Sequence, residues 1–138
     1  LDIGKITNQQ WGNAALLIER AVRATNTRFE EVGFLCPDGK LELALGDDGT
    51  MVLADVFGGP DENRILIGAD MHSKDLVRLY LQNEEPAWMA ALNAAKAANP
   101  TNKTLWPRYP ILPDELIMLV RARYAEVARQ YAGIDIAT

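Results

Sequence analysis

Apolar residues recur every three to four positions in four stretches of this chain and every second position in one. The first helical stretch covers 8–28, where Asn8 can cap and Trp11, Ala15, Ile18 and Val22 form a stripe opposite Glu19, Arg20 and Arg23. Ser73 is a suitable N-cap for a helix over 74–82, with Leu76, Val77 and Tyr80 on its apolar side. Pro86 opens a third helix to about residue 98, striped by Trp88, Ala91, Leu92 and Ala95. Pro113 starts the last, with Asp114 and Glu115 in its first turn. Ile117, Val120, Tyr124, Val127 and Tyr131 form its buried face, Gly133 stops it, and Arg121, Arg123 and Arg129 read as solvated. Between the last two, residues 99–112 are irregular, as functional or covering loops are.

The extended part begins with 32–36 (VGFLC), a buried strand by composition, followed by the turn signal Pro37-Asp38-Gly39. Lys40 to Leu45 then alternates, Gly46-Asp47-Asp48-Gly49 is a turn, and Thr50 to Phe57 is the returning strand. With the loop at 46–49, Leu45 faces Thr50, Leu43 faces Val52 and Leu41 faces Ala54, which makes one apolar face. The other face carries Lys40 opposite Asp55 and Glu42 opposite Leu53, and Asp38 extends the row if the strand starts early enough. Glu42 and Asp55 are then diagonal neighbours at roughly 7–8 Å, close enough to converge on one cation. A one-residue slip would scatter the set. Lys40 and Asp55 are equally readable as a surface ion pair of small energetic weight. Met51, Leu53 and Phe57 on the same face argue for a mixed site suited to a metal and a phosphate.

Gly58-Gly59-Pro60 follows, a loop whose backbone can approach a ligand or simply turn at the surface, and it runs through Asp61 to Arg64. Lys74 and Arg78 lie four apart and project from one helix face. The lone histidine, His72, reads as a surface or capping residue.

Composition narrows the class. The 138 residues, 49% hydrophobic, suit one globular domain over 1–138 with a modest core. No apolar run is long enough to span a bilayer and no signal-peptide pattern opens the chain. The net charge of −5 argues against non-specific nucleic-acid binding and leaves room for an anionic ligand held by a few placed cations. The single cysteine, Cys36, allows no intrachain disulfide, so a reducing cytoplasm is expected. Cys36 reads as a structural thiol; as a nucleophile it would need His72. The expected fold class is α+β, an antiparallel hairpin or sheet packed by helices.

The stretch DGKLELALGDDGTMVLADVFGGPDENR resembles the signature region of the phosphoribosylaminoimidazole-succinocarboxamide synthase (SAICAR synthetase) family. Asp38, Lys40 and Glu42 match that family's Asp-x-Lys-x-Glu motif. Asp55, Pro60, Asp61 and Arg64 match its Asp-Glu-x-x-x-Pro-Asp-x-x-Arg motif. SKDLVR is similar to its Lys-Asp-x-x-Arg stretch, which gives Lys74, Asp75 and Arg78. The closing LPDELIMLVRARYAEVARQYAG is similar to the family's last helix, so the resemblance covers roughly 6–133. Departures are Leu43-Ala44 where Phe-Gly is usual, Val56 in place of Glu, small residues flanking Asp38, and Glu62-Asn63 where small hydroxyl residues are common.

The resemblance implies an enzyme joining L-aspartate to the carboxylate of CAIR with ATP, through an acyl phosphate, with Mg²⁺ at the phosphates. Glu42 and Asp55 would hold Mg²⁺ and ATP, and Lys40 would stabilise the transferred phosphoryl group. Asp38 would lie beside metal or CAIR, Asp61 would orient substrate, and Arg64, Arg78 and the neighbouring Lys74 would bind CAIR. A full family member is about twice this length, and its N-terminal ATP lobe has no counterpart here. The resemblance therefore implies half a site, completed by a complementary N-terminal lobe or chain; a homo-oligomer stays open. A non-catalytic nucleotide- or partner-binding module derived from the ligase, and a purely structural domain, are the alternatives.

Overall fold

A computed structural model describes residues 6–136. Helices dominate, joined by two small antiparallel sheets, in the α+β class the sequence implies. In order they are α1 (Asn8–Glu31), β1 (Glu42–Leu45), β2 (Met51–Ala54), β3 (Leu66–Ile67), β4 (Asp70–Met71), α2 (Asp75–Glu84), α3 (Pro86–Ala98) and α4 (Asp114–Ala132), with a 3₁₀ turn at Lys103–Leu105. None of the helices is long and apolar enough to cross a membrane.

Helix α1 is capped by Thr7 rather than Asn8. The Thr7 hydroxyl accepts from the Gln10 N–H while the Gln10 side chain accepts from the Thr7 N–H, a reciprocal capping box. The stripe that packs is also not the expected one. Ala14, Thr25 and Phe29 are buried, whereas Trp11 is 60% exposed and Ile18 and Val22 are 38% and 39% exposed. Two apolar stripes satisfy the same helical period, and tertiary contact at Phe29 decides between them. Phe29 packs on Tyr131 with tilted rings 4.7 Å apart and joins Phe34, Ile65 and Val127 in the core.

Residues 32–36 are not a strand. Gly33 and Phe34 donate back to Glu30 and Phe29 in a Schellman closure of α1, which reverses the chain and leaves Leu35 a single bridge to Leu66. Nor does Pro37-Asp38-Gly39 turn. It runs extended against 62–64, with Lys40 N–H donating to Glu62 O (2.8 Å) and Arg64 N–H to Asp38 O (3.1 Å). The segment 62–64 exchanges backbone hydrogen bonds with it, accepting from Lys40 and donating to Asp38, in place of the internal bond of a local turn.

The β1–β2 register is one residue off the expected one: Glu42 pairs Ala54, Leu43 pairs Leu53, Ala44 pairs Val52 and Leu45 pairs Met51. The turn explains the slip. Gly46 N–H donates to Thr50 O, Gly49 takes φ +80°, and Asp48 Oδ1 accepts from both Thr50 N–H (3.0 Å) and Thr50 Oγ1–H (2.6 Å). The connection is therefore a three-residue loop, 47–49, with a left-handed residue at its end, and Thr50 belongs to its closing pair. The expected apolar face of Leu41, Leu43 and Leu45 against Thr50, Val52 and Ala54 does not form.

Helix α2 begins at Asp75 without a side-chain cap; Ser73 is buried and donates to Met71 Sδ instead. Its buried residue is Leu81. His72 is fully buried, not a surface residue, with Nδ1 2.9 Å from Asp70 O and Nε2 2.9 Å from Glu126 Oε2. Arg123 is not solvated: it bonds His72 Nε2 at 3.0 Å and pairs with Asp70 at 3.1 Å, tying α4 to the entry of α2. Pro86 and Gly133 open α3 and close α4 as expected. Along α4, Val127 is buried and Tyr124 and Tyr131 half-buried, while Ile117 is exposed.

Candidate functional site

The extended segment 38–40 and the loop end 61–64 lie side by side, and α2 abuts them. Pro60 O accepts from Lys74 N–H at 3.1 Å, which ties the loop to the start of α2. Asp38, Lys40, Asp61, Arg64, Lys74 and Arg78 all line one cleft of about 210 Å³. Residues far apart in sequence are thus brought together by two backbone hydrogen bonds across 38–64 and one to α2.

An ion-pair chain orders its floor. Asp38 Oδ2 accepts from Arg64 Nη1 at 2.8 Å, Arg64 Nε donates to Asp75 Oδ2 at 2.8 Å, and Arg78 Nη1 donates to Asp75 Oδ1 at 2.8 Å. Asp75 thereby orients two guanidiniums at once, a strong charge-assisted arrangement. Partial burial alone would raise its carboxyl; the hydrogen bonds from Arg64 and Arg78 more than offset this and hold it below the ordinary range. Sequence reasoning matched Asp75 to a motif but gave it no role. The available signal was its place three residues before Arg78 on one helix face.

Asp61 is held from α4: the Tyr124 hydroxyl donates to Asp61 Oδ1 at 2.8 Å. Burial, then this bond, raises the Tyr124 hydroxyl well above its ordinary value, so it stays a donor. Tyr124 had been read only as part of a packing stripe, and nothing in its spacing marks the long-range partner.

At the other end Lys40 pairs with Glu42, two residues along on the same side of the chain. The Lys40 ammonium is held above the ordinary lysine value, first by its hydrogen bond and charge interaction with Glu42, then by Glu62 and Asp55. Asp55 does not sit opposite Lys40 in a ladder. It follows β2 with φ +66°, the one non-glycine positive φ among the described residues, and its Oδ1 accepts from Val56 N–H at 2.8 Å. A strained residue at a candidate site is itself a pointer to function. Neither Glu42 nor Asp55 lines the cleft; Glu42 pairs with Lys40, and Asp55 lies within electrostatic reach of it.

Among the described residues no group of three or more Asp, Glu, His or Cys side chains is arranged to hold a metal. Magnesium, however, is usually held by one or two carboxylates together with substrate phosphates. Glu42 and Asp55 are both exposed, and both lie within electrostatic reach of Lys40. Their chemistry fits an ion that arrives with phosphate, not one caged by protein.

Cys36 is a structural thiol. Burial pushes it up, away from thiolate, and its Sγ accepts from Asn63 Nδ2 at 3.2 Å. Asn63 is itself buried, and its Oδ1 has no hydrogen-bond partner among the described residues. Gly39 makes the space: a Cβ there would lie 2.4 Å from Asn63 Nδ2 and 2.8 Å from its Cγ. Gly39→Ala is therefore expected to cost about 1–3 kcal/mol of stability by overpacking, read as a lowered denaturation midpoint. An unchanged midpoint would show that Asn63 can swing clear.

A family model described as SAICAR synthetase matches residues 2–95. Phosphoribosylaminoimidazole-succinocarboxamide synthase of Corynebacterium ammoniagenes is 29% identical over 113 residues, 75% of this chain and 34% of its own length. The enzyme of the same name from Thermobifida fusca is 30% identical over 112 residues, 75% of this chain and 32% of its own. Among solved structures, SAICAR synthase from Saccharomyces cerevisiae, complexed with SAICAR, superposes with TM-score 0.61 at 20% identity, over 90% of this chain and 38% of that one. A type-2 SAICAR synthetase in complex with ADP superposes with TM-score 0.62 at 16% identity, over 96% and 42%. The chain spans about a third of the length of these two curated relatives.

Proposed function

The chain belongs to the SAICAR synthetase family, and from that premise we propose that it supplies the substrate-anchoring half of an ATP-dependent carboxylate–amine ligase site. In this reading the assembled enzyme joins L-aspartate to CAIR, yielding SAICAR, ADP and phosphate, and works in the cytoplasm. The observation that carries it is the cleft in which Asp38, Lys40, Asp61, Arg64, Lys74 and Arg78 meet. One solved relative holds ADP and another SAICAR, which supports nucleotide and product-like ligands for this chain as well.

The residues divide the work by charge. Arg64 and Arg78, pre-oriented by Asp75, bind the anionic end of CAIR, with Lys74 beside them. Asp61, fixed by Tyr124, accepts a hydrogen bond from substrate and orients it, and Asp38 does so beside the metal. Lys40 places a compact positive charge where the phosphoryl group is transferred. Glu42 and Asp55 would hold Mg²⁺, which when bound neutralises phosphate charge. The cleft carries four cations (Lys40, Arg64, Lys74, Arg78) against four carboxylates (Asp38, Asp61, Glu62, Asp75). An entering phosphate gains little from so balanced a lining, which favours one that brings its own divalent cation.

The missing half is an N-terminal lobe, as a segment of the same protein or a separate chain. The outward stripe of α1, with Trp11, Ile18 and Val22 exposed, suits such a cover. The test mixes or co-expresses this chain with the N-terminal portion of a full-length relative and measures ADP release that depends on both CAIR and aspartate. The chain alone is expected to be silent and the assembly active. An assembly that stays inactive yet binds Mg-ADP by calorimetry would replace the ligase by a non-catalytic nucleotide-binding module. Glu62, an extra negative charge in the cleft, is the observation on that side.

A further inference from the structure

A second, wider cleft of about 640 Å³ lies between α2, α3 and the segment around Tyr109. That volume falls within the roughly 300–1,000 Å³ typical of small-molecule sites. It meets the anchoring cleft only through Arg64, Asp75 and Arg78, which line both. One wall is an aromatic corner: the rings of Trp88 and Tyr109 lie 4.7 Å apart at 53°. The Trp88 indole is fixed by donating to Arg108 O at 2.7 Å, and Tyr109 is 68% exposed.

The charge of this cleft differs from that of its neighbour. Three cations, Arg64, Arg78 and Lys96, line it against the single carboxylate Asp75. Lys96 pairs with no carboxylate among the described residues; its Nζ lies 5.2 Å from the Trp106 ring centroid. In a chain of net charge −5 this is a local positive excess next to an aromatic wall. Aromatic faces stack on planar rings of any base, and cations at the rim bind the attached anion.

We propose that this cleft is a second binding site, for an anionic, ring-bearing small molecule of mononucleotide size, its ring on the Trp88–Tyr109 corner and its anion between Arg78 and Lys96. The proposal needs neither turnover nor an N-terminal lobe; because Arg78 lies in both clefts, it is separated from the ligase reading by Lys96, Tyr109 and Lys74, each of which lines only one of them.

The test is calorimetry on the whole chain with AMP, adenosine and ribose 5-phosphate as probes. AMP is expected to bind, with adenosine and ribose 5-phosphate each weaker by about tenfold or more because each lacks one of the two anchors. Lys96→Ala and Tyr109→Leu, both at exposed side chains, are expected to weaken AMP by about fivefold or more with circular dichroism unchanged. Lys74→Ala, which alters only the anchoring cleft, should leave AMP affinity as it was. The proposal is overturned if AMP does not bind at millimolar concentration. It is equally overturned if Lys74→Ala abolishes binding while Lys96→Ala spares it, or if either partial probe binds as well as AMP.

Discussion

Lys40→Ala in the assembled enzyme is expected to lower turnover by about two to three orders of magnitude, the usual effect of removing one pre-placed charge from a transition-state site. Lys40 is exposed, so its loss should not unfold the chain, and the thermal midpoint should move little. Its elevated ammonium pKa keeps it charged at any working pH, so it serves as a fixed charge, not as a general base. The substitution also frees Glu42, which would bind the metal without competition, so Mg-ADP affinity should be kept or rise while kcat falls. Steady-state kinetics beside nucleotide calorimetry separates the two. Near-normal kcat in the variant would remove Lys40 from the chemistry, and a parallel loss of nucleotide affinity would make it a binding residue only.

That Asp38, Lys40, Asp61, Arg64, Lys74 and Arg78 belong to one neighbourhood was partly legible before the fold was known, and the reason is physical. Lys40 and Glu42 are two apart in an extended segment and share a side whatever their neighbours do. Arg64 follows Asp61 on one short loop, and Lys74 precedes Arg78 by one helical turn. Such local spacings survive tertiary detail. Strand register does not: it was set at Asp48 and Thr50, where side-chain hydrogen bonds and a left-handed Gly49 choose a three-residue loop over a four-residue one. Asp55 therefore comes within electrostatic reach of Lys40 through a positive-φ residue after β2 and not by the cross-strand pairing expected of it.

The misread parts share another cause. The stripe Trp11–Ile18–Val22 and the stripe Ala14–Thr25–Phe29 obey the same period, and the tertiary contacts of Phe29 with Phe34, Ile65, Val127 and Tyr131 select the second. Residues 32–36 have strand composition but follow a helix whose end demands that Phe34 donate back to Phe29. His72, Arg123 and Tyr124 acquire roles from partners on other elements, at Glu126, Asp70 and Asp61. Those partners are invisible to any local window, which is why the contacts of His72, Arg123 and Tyr124 could not be read from the sequence.

Asp75→Asn should give the second large effect, because one carboxylate fixes both arginines proposed to bind substrate. The amide keeps the shape but offers one acceptor oxygen, and turns an N–H₂ toward a guanidinium. Arg64 retains Asp38 at 2.8 Å, whereas no other carboxylate pairs with Arg78 among the described residues. In the assembled enzyme KM for the anionic substrate is expected to rise by about tenfold or more, with kcat less affected, since the change touches binding and not phosphoryl transfer. Stability should fall too, by about 1–2 kcal/mol, reduced from the value for a buried pair because both arginines are more than half exposed. The pH dependence follows from the lowered carboxyl. A group whose folded pKa lies below its unfolded value stabilises fully above the unfolded value, and that contribution is lost as pH falls through the folded one. The stability gap between wild type and Asp75→Asn should therefore be full at neutral pH and close progressively below about pH 4. A gap that persisted undiminished in strong acid would mean that Asp75 acts through its shape, and the shared-carboxylate account of Arg64 and Arg78 would have to be given up.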